Sequence, residues 1–450
     1  MSAEMSPKTA DELAVGDEVE VEVGPVAHGG HCVARHEGRV LFVRHTLPGE
    51  RVRALITEGG PGDRFLRADA VDVLLASEHR VEPRCPASGP GGCGGCDFQH
   101  VGTAHQRELK GRVVAEQLHR LAGIDREVHV EALDDEDGLR YRTRVEFAVD
   151  GASVGLRRHR SHTVEAVPGC PIAVPEVDTA LAEVRAEVAE EAAALEGISA
   201  VDVVVPTGEA DTVVVEVPAD APAPPIPLTE VVEAPIGRLP MGVDARGFWQ
   251  VHRDAPRVFV EAVLAAARVE PGERVLDLYS GVGLLSVPLA AAAGEDGQLI
   301  AVEADQRAVD HLRENLADRP WALVVPGRVD DLFGVPRKGP KGAKGGRNGR
   351  GRTRGRATRS DLIPPSADVV VLDPPRTGAG RGVVEALCSL RPRRLVYVAC
   401  DPAALARDTA YLAERGYALT GLRALDAFPM THHVECIAAF EPSGDEDARP

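Results

Sequence analysis

Asp277-Leu278-Tyr279-Ser280-Gly281-Val282-Gly283 decides the fold of this chain. It follows a short β-prone run, Arg274 to Leu278, and opens a helical one, so flexible backbone stands where a strand hands over to a helix. Glu303 ends the next strand, 22 residues beyond Gly281. In that order of elements, glycine backbone can approach a nucleoside while the carboxylate accepts hydrogen bonds from ribose hydroxyls. Asp277 offers a second acceptor. The loop has no P-loop lysine and no third glycine of a dinucleotide fingerprint. An acid-rich loop of this kind favours a cationic, phosphate-free nucleoside such as S-adenosylmethionine.

Outward from this stretch, Leu299 to Glu303, Leu323 to Val325, Asp368 to Leu372, Leu395 to Cys400 and Val434 to Phe440 read as strands between helical segments. The alternation predicts a doubly wound, mainly parallel sheet over 236–442. Asp330, after the third strand, either lines an adenine or is a solvated loop acid. A basic insert over 337–361 interrupts the pattern, with ten Lys or Arg and no acid between Arg337 and Arg359. Its Gly-rich low complexity predicts disorder and an auxiliary electrostatic contact.

Residues 8–76 alternate in the β manner (Glu18 to Val23, Arg39 to Val43, Glu50 to Ile56, Ala68 to Leu75) between Gly and Pro turns. Short strands at that spacing predict a small OB-like barrel, either a structural plug or an oligonucleotide binder. The segment 77–235 reads as a central α+β domain. It has a helix from about Thr103 to Leu121, a β segment from Tyr141 to Val149, an acidic helix from about Val177 to Leu195 and two valine-rich strands. Ala221 to Pro227 reads as a linker, because its prolines forbid a helix or a central strand. The fold class is therefore α/β and multidomain.

With 450 residues, the chain is long enough for several cores. The start carries no basic-then-apolar signal pattern, and the run Leu284 to Ala293 is too short to span a bilayer. A cytoplasmic monomer with no membrane association is expected. A net charge of −19 argues only weakly against a nucleic-acid partner, because the placement of positive charge decides binding. Eight cysteines do not make a disulfide framework. Cys85, Cys93 and Cys96, with Cys170 in Pro-Gly-Cys-Pro, provide four thiolates for either a [4Fe–4S] cluster or zinc.

Two further motifs carry chemistry. Asp373-Pro374-Pro375-Arg376 ends the fourth strand in a stiff extended loop suited to holding a flat base beside a methyl donor. Adenine amino-methyltransferases use a similar loop, but with an aromatic fourth residue and no cysteine nucleophile. Here Cys400 ends the next strand, and an Asp-Pro pair stops it. A thiolate at that place suits carbon chemistry: added to C6 of uracil, it makes C5 nucleophilic towards a methyl group. A base must then remove the C5 proton so that the thiolate leaves. Glu435 is the expected base, ahead of His432 and His433.

These motifs, with Phe248-Trp249-Gln250-Val251 upstream, resemble the RNA 5-methyluridine methyltransferase family over nearly the whole chain. The resemblance implies an N-terminal TRAM barrel that binds RNA and a C-terminal Rossmann-like class I methyltransferase domain. It implies Cys400 as nucleophile, Glu435 as base, and Gln250, Tyr279, Glu303, Asp330 and Asp373 as S-adenosylmethionine contacts, with Phe248 beside a flipped uracil. It favours [4Fe–4S] at Cys85, Cys93, Cys96 and Cys170. The substrate implied is structured RNA, with large-subunit ribosomal RNA preferred to transfer RNA. A non-catalytic RNA-binding or assembly factor is the alternative of another class; a scaffold has no need of Cys400, Glu435 and Asp373 together. Tyr141-Arg142-Thr143-Arg144 is a candidate contact for RNA phosphates or for the target nucleotide. The sequence departs from the family at His252 and Asp401, where asparagine is usual, and at Leu284, where a polar contact can occur.

Overall fold

The barrel strands are built on a period of two. In β1 (Glu18–Val26), Val19, Val21 and Val23 are buried while Glu18, Glu20 and Glu22 face water. With β2 (Cys32–His36), β3 (Arg39–Arg44), β4 (Arg51–Glu58) and β5 (Phe65–Leu75) it closes in the order β1-β2-β3-β5-β4, which is the expected OB-like barrel. Glu50 is fully buried and accepts from Arg80 Nε at 2.6 Å and from the amides of Leu47 and Ser77. That carboxylate fastens the barrel to the segment leaving it. The structure, a computed structural model, describes residues 9, 12–133, 137–191, 193–208, 210–336 and 359–444. The basic insert up to residue 358 lies outside them.

Next come α1 (Thr103–Ala122), β6 (Val130–Ala132), β7 (Arg144–Asp150), β8 (Ser153–Arg157), β9 (Val164–Glu165), α2 (Pro175–Glu190), β10 (Ile198–Val204) and β11 (Val213–Pro218). Five of these strands form a sheet ordered β11-β10-β7-β8-β9, on which α2 lays Val177, Leu181 and Val184 against Phe147 and Val203. The Pro-rich run ends where a hairpin begins, β12 (Pro227–Ala234) with β13 (Gly237–Asp244).

The remaining elements are α3 (Ala255–Ala267), β14 (Arg274–Leu278), α4 (Ser286–Ala293), β15 (Gln298–Glu303), α5 (Gln306–Asn315), β16 (Ala322–Pro326), α6 (Val329–Leu332), β17 (Val369–Leu372), α7 (Gly380–Ser389), β18 (Arg394–Ala399), α8 (Pro402–Ala413), β19 (Tyr417–Asp426) and β20 (Glu435–Pro442). Their sheet runs β16-β15-β14-β17-β18-β20-β19-β6. Strands β14 to β18 are mutually parallel where they pair, and β20 lies antiparallel to β18. Every residue of β17 and β18 is buried, as a strand covered by helices on both faces requires. Val275 packs into the cluster under α3 and α4, while Leu276, the next residue, packs into the one under α7 and α8.

The segment read as central also enters this sheet. β6 pairs with β19 as its edge strand, and Val114 and Leu118 of α1 join the cluster that includes Leu405 of α8. Among the described residues no helix is long and apolar enough to cross a membrane.

Candidate active site

The strand order reverses between β14 and β17, and the crevice beyond their carboxyl ends is where open α/β sheets place ligands. A cavity of about 740 Å³ lies there. Four strand termini supply its chemistry. β14 leads into Tyr279, β17 into Asp373, and β18 into Cys400. Because β20 runs antiparallel to β18, Glu435 begins it at the same edge; Ala399 pairs with Cys436, so Cys400 and Glu435 follow as neighbours.

Of the residues expected from sequence, Gln250, Tyr279, Glu303, Asp373, Cys400 and Glu435 all line this cavity. Phe248 stands at its mouth, 74% exposed. Asp330 does not line it. Its carboxylate pairs with Arg328 at 3.1 Å, and its charge helps burial raise the Tyr279 hydroxyl to about 12. Asp277 is withdrawn as well: buried, it accepts from Ser286 Oγ at 2.5 Å and braces the start of α4.

The glycine loop has specific backbone demands. Tyr279 sits at φ +62°, a left-handed conformation that costs a non-glycine residue about 1–3 kcal/mol. Gly283 sits at φ +97°, where a side chain is strained, and a Cβ there would displace Leu312 Cδ1 of α5, 2.7 Å away. Gly281 donates its N–H to Glu303 at 2.8 Å, and the amides of Ala304 and Asp305 donate to the other oxygen. The Glu303 carboxylate is thus oriented by backbone.

The electrostatics of the cavity are lopsided. Burial, then the charge of Asp277, pushes the Asp373 carboxyl up to about 7. Burial, then Asp373, raises Glu435 well above the usual carboxylate range, with Arg376 opposing. Burial, then Glu435 and Asp373, lifts the Cys400 thiol to about 11, again against Arg376. Buried acids that raise one another mark a shortage of positive charge. A sulfonium cation supplies it, so the residues present fit S-adenosylmethionine.

Two histidines were possible bases. His433 lines the cavity, and burial lowers its imidazole to about 4. His432 is absent from the lining and bonds Asp97 through Nδ1 at 2.6 Å.

The sequence model of the TRAM domain matches residues 12–71, and that of tRNA (uracil-5-)-methyltransferases matches residues 351–441. The chain is 44% identical to an uncharacterised RNA methyltransferase of Streptomyces avermitilis, over 95% of this chain and 99% of the relative. It is 32% identical to the 23S rRNA (uracil(1939)-C(5))-methyltransferase RlmD of Alkalilimnicola ehrlichii, over 94% of this chain and 96% of the relative. The chain belongs to the RNA uracil-C5 methyltransferase family. It is accordingly an S-adenosylmethionine-dependent methyltransferase. Its fold matches that of Pyrococcus abyssi tRNA (uracil-54, C5)-methyltransferase in complex with S-adenosyl-L-homocysteine, with a TM-score of 0.64 at 20% identity, covering 93% of this chain and 100% of that one.

The positions that depart from the family have structural explanations. His252 is buried, stacks on Tyr141 at 4.9 Å between ring centres and does not line the cavity. Leu284 packs against the core. Asp401 caps α8, accepting from Ala404 N at 2.7 Å, and also pairs with His28 of the barrel at 3.1 Å. Of the residues expected to meet RNA, Tyr141, Thr143 and Arg144 are buried, and Arg144 bonds Glu230 at 2.6 Å. Tyr141 also donates its hydroxyl to the Pro429 carbonyl, and Arg142 is the half-buried member of the four.

No motif in the sequence marks the contribution of α5. Asp305, Arg307 and His311 line the cavity beside Glu303, and their signal was the helix that must follow that acid. None marks Phe428 either, which precedes the His-His pair.

The four cysteines are electrostatic neighbours. Burial raises the Cys96 thiol to about 12, and Cys170, Cys93 and Cys85 each add to the rise. Gly95 N–H points at Cys93 Sγ from 3.4 Å. Among the described residues, however, no three His, Cys, Asp or Glu side chains close on one point in the manner of a metal site.

Proposed function

We propose that this methyltransferase methylates C5 of a uridine in structured RNA, through a covalent bond between Cys400 and C6. The observation that carries the reading is the meeting of Cys400, Glu435, Asp373 and Arg376 at the switch-point cavity. The Arg376 guanidinium favours the Cys400 thiolate. The thiolate adds to C6, and the electron pair of the C5–C6 double bond becomes an enolate. C5 then takes the methyl group, whose bond to the sulfonium breaks to leave a neutral thioether. The Glu435 carboxylate removes the C5 proton; the C5–C6 double bond re-forms, and the bond from C6 to Cys400 Sγ breaks. Burial lowers the His433 imidazole and raises the Glu435 carboxyl, which favours Glu435 over His433 as that base.

The substrate we favour is large-subunit ribosomal RNA, met in the cytoplasm, with transfer RNA as the alternative. End-to-end similarity to ribosomal RNA enzymes supports the first; the family description matched over residues 351–441 supports the second. A base in a loop or single strand enters such a cavity at least cost in stacking. Mapping 5-methyluridine in both RNA classes, with and without the gene, decides between them. A map unchanged by deletion overturns the proposal.

We also propose that Cys85, Cys93, Cys96 and Cys170 carry a [4Fe–4S] cluster of structural role, with zinc as the alternative. The mutual influence of the four thiols supports it; the lack of three converging ligands among the described residues weighs against it. Protein purified without oxygen should contain iron and sulfide near four per chain. Iron-free, zinc-bearing protein selects the alternative, and metal-free protein removes both.

A further inference from the structure

Cys400 stands in the wall of two cavities. The larger is the one described above. The smaller, about 120 Å³, lies where the β1–β2 loop of the barrel, α1 and the N-terminus of α8 meet. Arg376, Cys400 and His433 belong to both walls, so a ligand in one is next door to a ligand in the other. An apolar cavity of about 150 Å³ accommodates benzene. The smaller space is thus of the size of one six-membered ring.

Its lining suits a flat ring with acceptors at its edge. Val26, Leu109 and Val113 give apolar walls. Lys110 lines it too, with a side chain only 1% exposed. Its ammonium donates to Asp426 Oδ1 at 2.5 Å and to the Phe428 carbonyl at 3.0 Å, which accounts for two of three N–H donors. The single acid in the lining, Asp401, is engaged by His28. Besides apolar surface the lining carries the cations Lys110 and Arg376, which can donate but not accept, the complement of a base with ring carbonyls or ring nitrogens.

The roof belongs to the barrel, and the barrel leads outward. Gly30 packs so closely that a Cβ there would meet His432 Cβ at 2.6 Å. The next residue, His31, stands edge-on to Phe42 at 4.7 Å, and Phe42 to Phe65 at 5.3 Å, with the Arg67 guanidinium over both phenylalanine rings. Aromatic rings interleaved with arginine are a surface along which unpaired bases stack. The row runs from an exposed phenylalanine towards the small cavity.

We infer that the small cavity is a second nucleotide pocket, which takes the base of an unpaired nucleotide flanking the methylated uridine. The inference rests on the proposed function, since it requires a uridine held against Cys400 from the larger side. One RNA strand then occupies both cavities, and the barrel becomes part of the substrate site rather than a separate anchor.

The test couples a variant to an altered substrate. RNA hairpins containing the mapped uridine are prepared with a single abasic nucleotide at each flanking position in turn. Wild-type protein should lose about tenfold in affinity at the position that fills the pocket. Val113→Phe, which fills the cavity from α1, should lose about tenfold on intact RNA and nothing further on that abasic RNA, with S-adenosylmethionine affinity unchanged. Ala27→Leu fills it from the barrel and serves if Val113→Phe does not fold. Losses that multiply, or full affinity of both variants for intact RNA, overturn the pocket while methylation persists. If the wild-type protein methylates no uridine, the proposed function itself fails, and the pocket with it.

Discussion

Glu435 and Cys400 follow directly on the Ala399–Cys436 pair, at the two facing ends of β18 and β20. Their proximity is an electrostatic conflict: after burial, the Glu435 charge is the largest influence holding the Cys400 thiol up to about 11. A nucleophile and a base that disfavour each other's charged forms cannot both be ionised cheaply in the empty cavity. Arg376 moderates the conflict from the opposite side.

That relationship sets the titration of the thiol. In wild-type protein, alkylation of Cys400 by iodoacetamide should be slow at pH 8 and climb towards pH 11, because only the thiolate reacts. Glu435→Gln removes the opposing charge, so its inflection should move down and its rate at pH 8 rise several-fold. Arg376→Met should move the inflection up. Peptide mass spectrometry isolates Cys400 from the other cysteines, and equal rates in all three proteins would refute the coupling.

The same pair separates two steps of the proposed reaction. Cys400→Ala should show no turnover at all. Glu435→Gln should still form the bond to C6 and accept the methyl group, then stall with the C5 proton in place. The expected product is a protein–RNA band that survives denaturing electrophoresis and carries label from the methyl group. A Glu435→Gln enzyme that turns over normally assigns the base elsewhere, with His433 the nearest alternative.

Glu303 is held in the cavity wall by backbone. Its two oxygens take three amide hydrogen bonds that fix its position at the end of β15. Glu303→Ala removes a charged acceptor whose hydrogen bonds are worth about 1.5–3 kcal/mol each. S-adenosylmethionine affinity by calorimetry should fall about 10- to 100-fold, while Cys400 alkylation stays as in the parent. Asp330→Ala, at a position outside the cavity, should change that affinity far less.

Much of this site was legible because strand ends are local features. Apolar runs mark β17 and β18, and the residues that follow them, Asp373 and Cys400, line the cavity. Glu303 was found by its distance from Gly281. What escaped the sequence depends on partners far along the chain. β19 mixes buried and exposed positions without a clean period, and β6 is three residues long, so neither stands out before the sheet is assembled. Asp277 looks like a ligand contact until Ser286 folds over it. Arg144 looks like an RNA contact until Glu230, 86 residues away, is placed beside it. His28 and Asp401 carry no common local signal at all; only the docking of the barrel brings them together.

Asp373 has a carboxyl raised from near 3.8 to about 7, chiefly by burial. A group bound to its proton more tightly in the folded state makes the unfolded state bind fewer protons between those values, so folding stability falls as pH rises from 4 to 7. Above that window the buried charge costs on the order of a few kcal/mol. Asp373→Asn, which cannot ionise, should therefore melt higher than the parent at pH 8 without cofactor, and the advantage should vanish at pH 4. Its S-adenosylmethionine affinity should drop, because the missing charge is the one a sulfonium would meet. Added S-adenosylmethionine should then raise the melting temperature of the parent at pH 8 and leave Asp373→Asn nearly unmoved. A variant that melts lower than the parent at pH 8 would show that Asp373 stabilises the cavity through bonds rather than straining it through charge.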